Sequence, residues 1–302
     1  MKVITLEFEK YQSSGNDFVL IDEDRNHGIT EDVRKALSKM LMDRHFSVGA
    51  DSILFIRRES AGIRYRVYEE GIELEMCGNG LHCAADYSLA ARGPRGQVFI
   101  TKGDVYRSVT WDNELYTADL GSLQPVSRFL RRKVDDSLLL IGMTTLLPGR
   151  KPAAVLRGLG VSIDQGFFVN SSEAHVVFLM DDISTVDLKG VGDYIAGRTK
   201  IFPESTNVNI CQRISQRAVG IRTYERGKFK ETLACGTGSA ASAYVAKAIF
   251  KLRGQNICVR NPGGDLFVRI GGGKMLLTGH VAKVFHGTIR VNLQGPRMSG
   301  EG

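Results

Sequence analysis

Moved along itself by 158 residues, the chain falls into register with its own second half. The offset carries Cys77 onto Cys235, and IRYRVYEEGIELEMCGNG at 63–80 lies over IRTYERGKFKETLACGTG at 221–238. Ile63 meets Ile221, Arg64 meets Arg222, Glu73 meets Glu231, and the glycines of both Cys-Gly-x-Gly motifs coincide. Under the same offset SSGNDFVLI from Ser13 meets SSEAHVVFL from Ser171, and Gly96-Gln97 meets Gly254-Gln255. One motif can recur by chance, but an offset held from Ser13 to Gln97 marks a duplication. The chain therefore has to fold as two related halves, and 302 residues suffice for two cores.

Each half repeats one pattern of elements. DFVLID, SILFIR, YRVY and QVFITK in the first half, and HVVFLM, AVGIRTY, ICVRN and DLFVRI in the second, are rich in β-branched and aromatic residues and read as strands. One helix per half starts at each Cys-Gly-x-Gly, in LHCAADYSLAARG and SAASAYVAKAIFKLRG; both are Ala-rich and apolar on most faces, as suits a helix buried in its own sheet. Gly93 and Gly254 are placed as their C-terminal caps. The stretch from Gly121 to about Gly160, with Pro125 and Pro148, reads as a connection. HVAKVFHGTIRVNL at 280–293 reads as an extra strand or two returning to the first half.

Composition narrows the function. A formal charge of +7 and a pI near 9.2 admit nucleic acid, but the densest basic run, RFLRRK at 128–133, passes straight into VDD, and no DNA- or RNA-binding motif accompanies it. A small anionic or zwitterionic ligand is served equally well. Runs such as VVFLM and LLLIGM are far shorter than the ~20 residues of a membrane span, and the N-terminal MKVITLEFEK does not read as a signal peptide. A cytoplasmic location with no membrane partner is the expectation. Five cysteines, an odd number, point to free thiols rather than a disulfide framework.

Two of those thiols sit where chemistry is favoured. A cysteine at a helix N-terminus lies beside unpaired N–H groups and the positive end of the dipole, which stabilises its thiolate. The following glycines let a ligand approach the backbone and expose N–H groups to an anion. Two such turns, related by duplication, suit removal of a proton from one face of a carbon and its return to the other. Cys83, Cys211 and Cys258 open no glycine turn and read as packing residues. No metal is expected, because Cys77, His82 and Cys83 have an unusual spacing for zinc and the second half has no matching histidine. Neither turn has a nucleotide-binding pattern, and no G-x-S-x-G elbow is present.

FEKYQSSGNDFVLID, GADSILFI, CGNGLHC, FPESTNVNICQ, YERGKFKETLACGTG, NPGGDLFVRI and GHVAKVFHGTI together resemble the diaminopimelate epimerase family over nearly the whole chain. The resemblance implies an α/β fold of α+β type: two pseudo-symmetric domains, each a mostly antiparallel sheet wrapped round a central helix, with the active site in the cleft between them. The expected boundaries are 1–125, joined by strands from about 285–302, and 126–284. It implies an amino-acid epimerase that needs no cofactor, pyridoxal phosphate included, has a small-molecule amino-acid substrate and forms a homodimer.

By the same resemblance Cys77 and Cys235 are the acid–base pair, and Gly78, Asn79, Gly236 and Thr237 hold the α-carboxylate through their N–H groups. Asn16, Asn207, Glu225 and Arg226 match substrate contacts, with Arg226 the partner of a distal carboxylate, and His175 matches a histidine close to the thiols. The departures from the family pattern are Glu173 in place of an asparagine, Tyr68 or Glu69 in place of another, Ser52 for a glutamine and His82 for an arginine. Diaminopimelate is the first expectation. A racemase of another amino acid, one with a basic or otherwise altered side chain, is favoured by Glu173 and by the missing asparagine, and a non-catalytic amino-acid-binding relative is disfavoured by retention of both cysteines.

Overall fold

The computed structural model describes residues 3–89 and 96–293. Contacts divide the chain into two compact units. The first holds the chain up to Ser13, Asp17–Tyr116 and the segment from Val281 onward; the second holds Ser14–Asn16 and Thr117–His280. The division thus falls at Thr117 and Val281, against expected positions of 125/126 and 285. Among the described residues no helix is long and apolar enough to cross a membrane.

In chain order the first unit is built from β1 (Val3–Ser13), β2 (Asn16–Asp22), α1 (Glu31–Leu41), β3 (Ser52–Glu59), β4 (Gly62–Glu69), β5 (Ile72–Glu73), α2 (Gly78–Leu89), β6 (Gln97–Thr101), β7 (Val105–Asp112) and the start of β8 (Leu115–Gly121). The second follows with β9 (Leu140–Gly142), α3 (Met143–Leu146), α4 (Arg150–Gly158), β10 (Gly166–Asn170), β11 (Ala174–Met180), α5 (Leu188–Ala196), β12 (Asn207–Arg213), β13 (Ala218–Glu225), β14 (Lys230–Thr232), α6 (Gly236–Phe250), β15 (Asn256–Asn261), β16 (Gly264–Gly271) and β17 (Lys274–His280). The closing strand β18 (Ala282–Asn292) belongs to the first unit.

The strand pairings repeat step for step. Parallel β2–β3, antiparallel β3–β4 and parallel β4–β6 in the first unit are matched by parallel β11–β12, antiparallel β12–β13 and parallel β13–β15 in the second. Each parallel pair needs a crossover, which α1 and α2 supply in the first unit and α5 and α6 in the second. β18 runs antiparallel to β1, from Val3↔Asn292 to Gln12↔Ala282, as β9 does to β10. The last strand therefore has its counterpart in the segment between the halves, where only a connection was expected. That segment also adds Val126, Ile141, Met143, Leu146 and Leu156 to the second core. Its elements are short and broken by Pro125 and Pro148, so no periodicity announces them.

Burial follows the chemistry of each face. In the first unit α1, capped by the Thr30 hydroxyl on the Val33 N–H, lays Leu37 and Leu41 over Val19, Ile53, Phe55 and Tyr68. In the second, Phe168, Phe178, Phe202 and Tyr224 fill the space between the sheet and α5. α2 and α6 are buried through their first turns, as their small residues allow. α6 does not end at Gly254: its C-cap is Lys251, in the left-handed conformation with φ of 52°. Gly93 lies outside the described residues. Phe178 is fully buried, so Phe178→Ala should cost about 3–5 kcal/mol of unfolding free energy in urea titration; a loss below about 1 kcal/mol would show that this core is not packed as described.

Candidate active site

Cys235 occupies the N-cap of α6 with an extended backbone, and its Sγ accepts the Gly238 N–H at 3.3 Å. Its carbonyl accepts the first helical bond from Ser239 at 2.8 Å, and the Cys77 carbonyl does the same for Leu81 at 2.9 Å. Both cysteines are half-buried and stand at the same place on their helices. The second glycine of each motif is sterically required. A Cβ on Gly238 would lie 2.6 Å from the Asn209 amide nitrogen, and one on Gly80 would collide with the Tyr65 hydroxyl, which donates to the Cys77 carbonyl at 3.2 Å.

A chain of buried polar groups leads inward from Cys235. Its Sγ lies 3.5 Å from Thr237 Oγ1, which lies 3.0 Å from His175 Nε2. His175 Nδ1 is 2.8 Å from Asn209 Oδ1, and the Asn209 amide donates to Thr223 Oγ1 at 2.7 Å. Ser171 donates to the Thr237 carbonyl at 2.9 Å. β11, β12 and β13 lie side by side, with His175 opposite Asn207 and Asn209 opposite Thr223, which sets these side chains under the start of α6. Full burial, and to a lesser extent the Arg226 charge, push His175 down to about 4, against the pull of its bond to Asn209. The imidazole is therefore neutral at physiological pH.

Beside this chain lies an ion pair. Arg226 donates to Glu173 at 2.7 Å and to the Glu204 carbonyl at 2.7 Å, while its backbone N–H is held by Asn207 Oδ1 at 3.0 Å. Asn207 also donates to the Ala174 carbonyl at 3.2 Å. Glu225 is held by Thr232 at 2.7 Å and Lys228 at 2.9 Å. Asn16 is buried, and the turn before it, with positive φ at Ser14 and Gly15, packs against Leu233 and Gly263, two residues from Cys235 in the case of Leu233. The second unit thus brings together Asn16, Glu173, His175, Asn207, Glu225, Arg226, Cys235, Gly236 and Thr237.

In the first unit Asn79 and His82 are buried in the opening turns of α2. Ser52 donates to Glu69 at 2.7 Å, on the sheet face where Tyr65 and Leu54 meet Gly80. Tyr68 points the other way, into the core under α1, with its hydroxyl on Glu31 at 2.7 Å. Of the two positions offered for the absent asparagine, Glu69 is the one on the helix α2 face. The remaining thiols are poor nucleophiles: burial pushes Cys211 up to about 12 and raises Cys83, and burial with Asp265 raises Cys258. Sequence reading missed Asn209, Thr223, Ser171 and Tyr65. Asn209 left a trace, since NVN puts two amides on one face of an otherwise apolar strand.

The sequence profile described as diaminopimelate epimerase matches residues 8–125 and 167–284, one Cys-Gly-x-Gly turn in each segment. The chain belongs to the diaminopimelate epimerase family. Curated relatives include the diaminopimelate epimerases of Methanocella arvoryzae, 32% identical over 294 residues with 95% of this chain and 98% of the relative covered, and of Methanothrix thermoacetophila, 33% identical with 94% and 96% covered. Among solved structures, a phenazine biosynthesis protein of the PhzF family from Bacillus anthracis aligns with a TM-score of 0.69 at 13% identity, covering 96% of this chain and 99% of that one. A hydroxyproline epimerase from Agrobacterium vitis aligns at 0.60 and 10% identity, covering 95% and 93%. These distant likenesses show the fold, α+β with a duplicated, mostly antiparallel sheet.

The buried histidine has a consequence for stability. Its folded pKa lies below the unfolded value near 6.5, so the unfolded chain binds the extra proton as pH falls from about 6.5 to about 4, and stability is lost over that window. The stability difference between wild type and His175→Gln, followed by urea unfolding, should therefore shrink by about 3 kcal/mol from pH 7 to pH 4. A difference independent of pH would place the imidazole in contact with solvent.

Proposed function

We propose that the protein epimerises diaminopimelate between its LL and meso forms without pyridoxal phosphate, with Cys77 and Cys235 as the two proton carriers. The observation that carries this reading is the pair of cysteines at matched helix N-termini in a member of the diaminopimelate epimerase family. One sulfur, as thiolate, takes the α-proton. The C–H electrons pass toward the carboxylate, which the N–H groups of Gly78, Asn79, Gly236 and Thr237 hold and stabilise. The other sulfur, as thiol, returns a proton to the opposite face, so one thiolate and one thiol are regenerated with their roles exchanged.

Arg226 and Glu173 suit the distal end of this substrate. Diaminopimelate ends in an ammonium and a carboxylate, and a guanidinium beside a carboxylate is the complement of that zwitterion. The same ion pair favours a second reading, a racemase of a basic amino acid, because Glu173 engages the guanidinium that a distal carboxylate would need. The first reading makes the protein an enzyme of lysine biosynthesis, working in the cytoplasm on a small amino acid rather than on nucleic acid or membrane. Its five cysteines, all free thiols, fit a reducing compartment. A homodimer is the assembly that the family resemblance implies.

Proton NMR in D₂O under reducing conditions decides between the readings. Loss of the α-proton signal from LL-diaminopimelate, but not from lysine, ornithine or arginine, is expected; exchange confined to a basic amino acid would install the second reading. Cys77→Ser and Cys235→Ser should each abolish turnover while leaving the circular dichroism unchanged, since a hydroxyl is a far weaker acid than a thiol. Glu173→Gln should raise KM for diaminopimelate about tenfold with little change in kcat, the signature of a lost charge-assisted contact made equally in ground and transition states. An unchanged KM would remove Glu173 from the substrate site.

A further inference from the structure

We propose that Asn209 is a positioning residue that sets the direction of the hydrogen-bond chain to Cys235 and thereby favours the protonated form of that thiol. No family contact named above includes Asn209. It is fully buried on β12, two residues beyond Asn207, and its amide is held at both ends. The nitrogen donates to Thr223 Oγ1 at 2.7 Å, which leaves the oxygen facing His175 Nδ1 at 2.8 Å. A carbonyl oxygen only accepts, so the neutral imidazole carries its proton on Nδ1 and presents a lone pair at Nε2. That lone pair is met by the Thr237 hydroxyl at 3.0 Å, which must donate to it. With its hydrogen committed inward, Thr237 Oγ1 turns lone pairs toward Cys235 Sγ, 3.5 Å away.

A thiol donates into those lone pairs, whereas a thiolate meets only their negative charge. The chain therefore works against the N-terminus of α6 and the Gly238 N–H, which favour the thiolate. The charged groups in reach do not reverse the direction. Arg226 disfavours an imidazolium at His175, and Glu173 is engaged by Arg226. The matching residues in the first half are different: the register sets Phe18 opposite Ser52 and Leu54 opposite Val67 just as it sets His175 opposite Asn207 and Asn209 opposite Thr223, so Phe18, Leu54 and Val67 stand where His175, Asn209 and Thr223 do, with Asn79 at the place of Thr237. Phe18 and Leu54 both approach Gly80 of α2, as Asn209 approaches Gly238 of α6, and their side chains neither donate nor accept a hydrogen bond. The device is thus particular to the second half, and it separates the two thiols in a way that duplicated backbone geometry alone does not.

The inference builds on Cys235 as one of the two proton carriers, but its test reads the thiol itself and needs no turnover. Iodoacetamide alkylation is followed between pH 6 and 10 and resolved cysteine by cysteine through peptide mass spectrometry of the full chain. In Asn209→Asp the introduced carboxylate favours an imidazolium, Nε2 becomes a donor, and the Thr237 hydroxyl is released to donate to sulfur. Alkylation of Cys235 at pH 7 should rise about tenfold, one unit in its apparent pKa, while that of Cys77 stays unchanged. Adding Thr237→Val should remove the part of the rise that depends on the hydroxyl and bring Cys235 to the profile of Thr237→Val alone.

Thr237→Val alone gives an independent sign should the buried carboxylate prevent folding. Loss of an acceptor for the S–H moves the Cys235 profile to lower pH, whereas loss of a donor to the thiolate would move it to higher pH. A shift to higher pH in Thr237→Val overturns the proposal, as does a folded Asn209→Asp variant with an unchanged Cys235 profile. Failure of diaminopimelate exchange in the wild type, with these thiol shifts intact, would overturn the proposed reaction and leave this inference standing.

Discussion

A helix that starts inside the protein is the constraint on which the rest depends. Gly236 to Ala243 are all buried, so the first N–H groups of α6 are withdrawn from water and must find partners within the fold or in a ligand. Cys235 satisfies one of them through sulfur, a weak acceptor that becomes a strong one on losing its proton. Only small residues allow strands to close round such a helix, which is why Gly, Ala and Ser fill its opening turns. Gly238 stands so close to Asn209 that no Cβ fits there. The demands of packing and, on the proposed reading, of carboxylate binding therefore fall on the same few residues, and α2 repeats this burial from Gly78 through Ala85.

What the amino-acid sequence discloses is the part of this arrangement fixed by local chemistry. The two cysteine turns, the strands around them and the duplication are readable because glycine, cysteine and β-branched residues have few alternative uses in that order. The segment between the halves was less legible. β9 and α3 have only three and four residues, too few for any period to show, and they acquire their structure from the core they cover. The end of α6 was misplaced for a related reason. Lys251 takes a left-handed conformation that favours glycine, so the obvious glycine three residues on marks a later turn instead.

Side-chain pairings across strands lay further from view. That Tyr68 faces α1 while Glu69 faces α2 depends on strand register, because neighbours on a strand point to opposite faces. The pairing of Glu173 with Arg226 joins two loops brought together by β11 running parallel to β12 and β12 antiparallel to β13. The residue types were noticed, but their partnership was not, and the partnership decides what charge a substrate would meet.

Duplication supplies two equivalent backbones, yet a reaction that enters on one face of a carbon and leaves on the other requires two unlike protonation states at once. On the proposed reading the second half meets this requirement with neutral groups. His175, Asn209, Thr223 and Thr237 are buried, and none carries charge near neutral pH. The first half fills the matching positions with Phe18, Leu54 and Val67. Apolar side chains have no hydrogen-bond direction to pass on, whereas a chain of neutral donors and acceptors can hand its direction to a neighbouring sulfur. Symmetry of the fold thus places the two thiols alike, and on the proposed reading the asymmetry of the buried side chains beneath them is what lets the thiols differ.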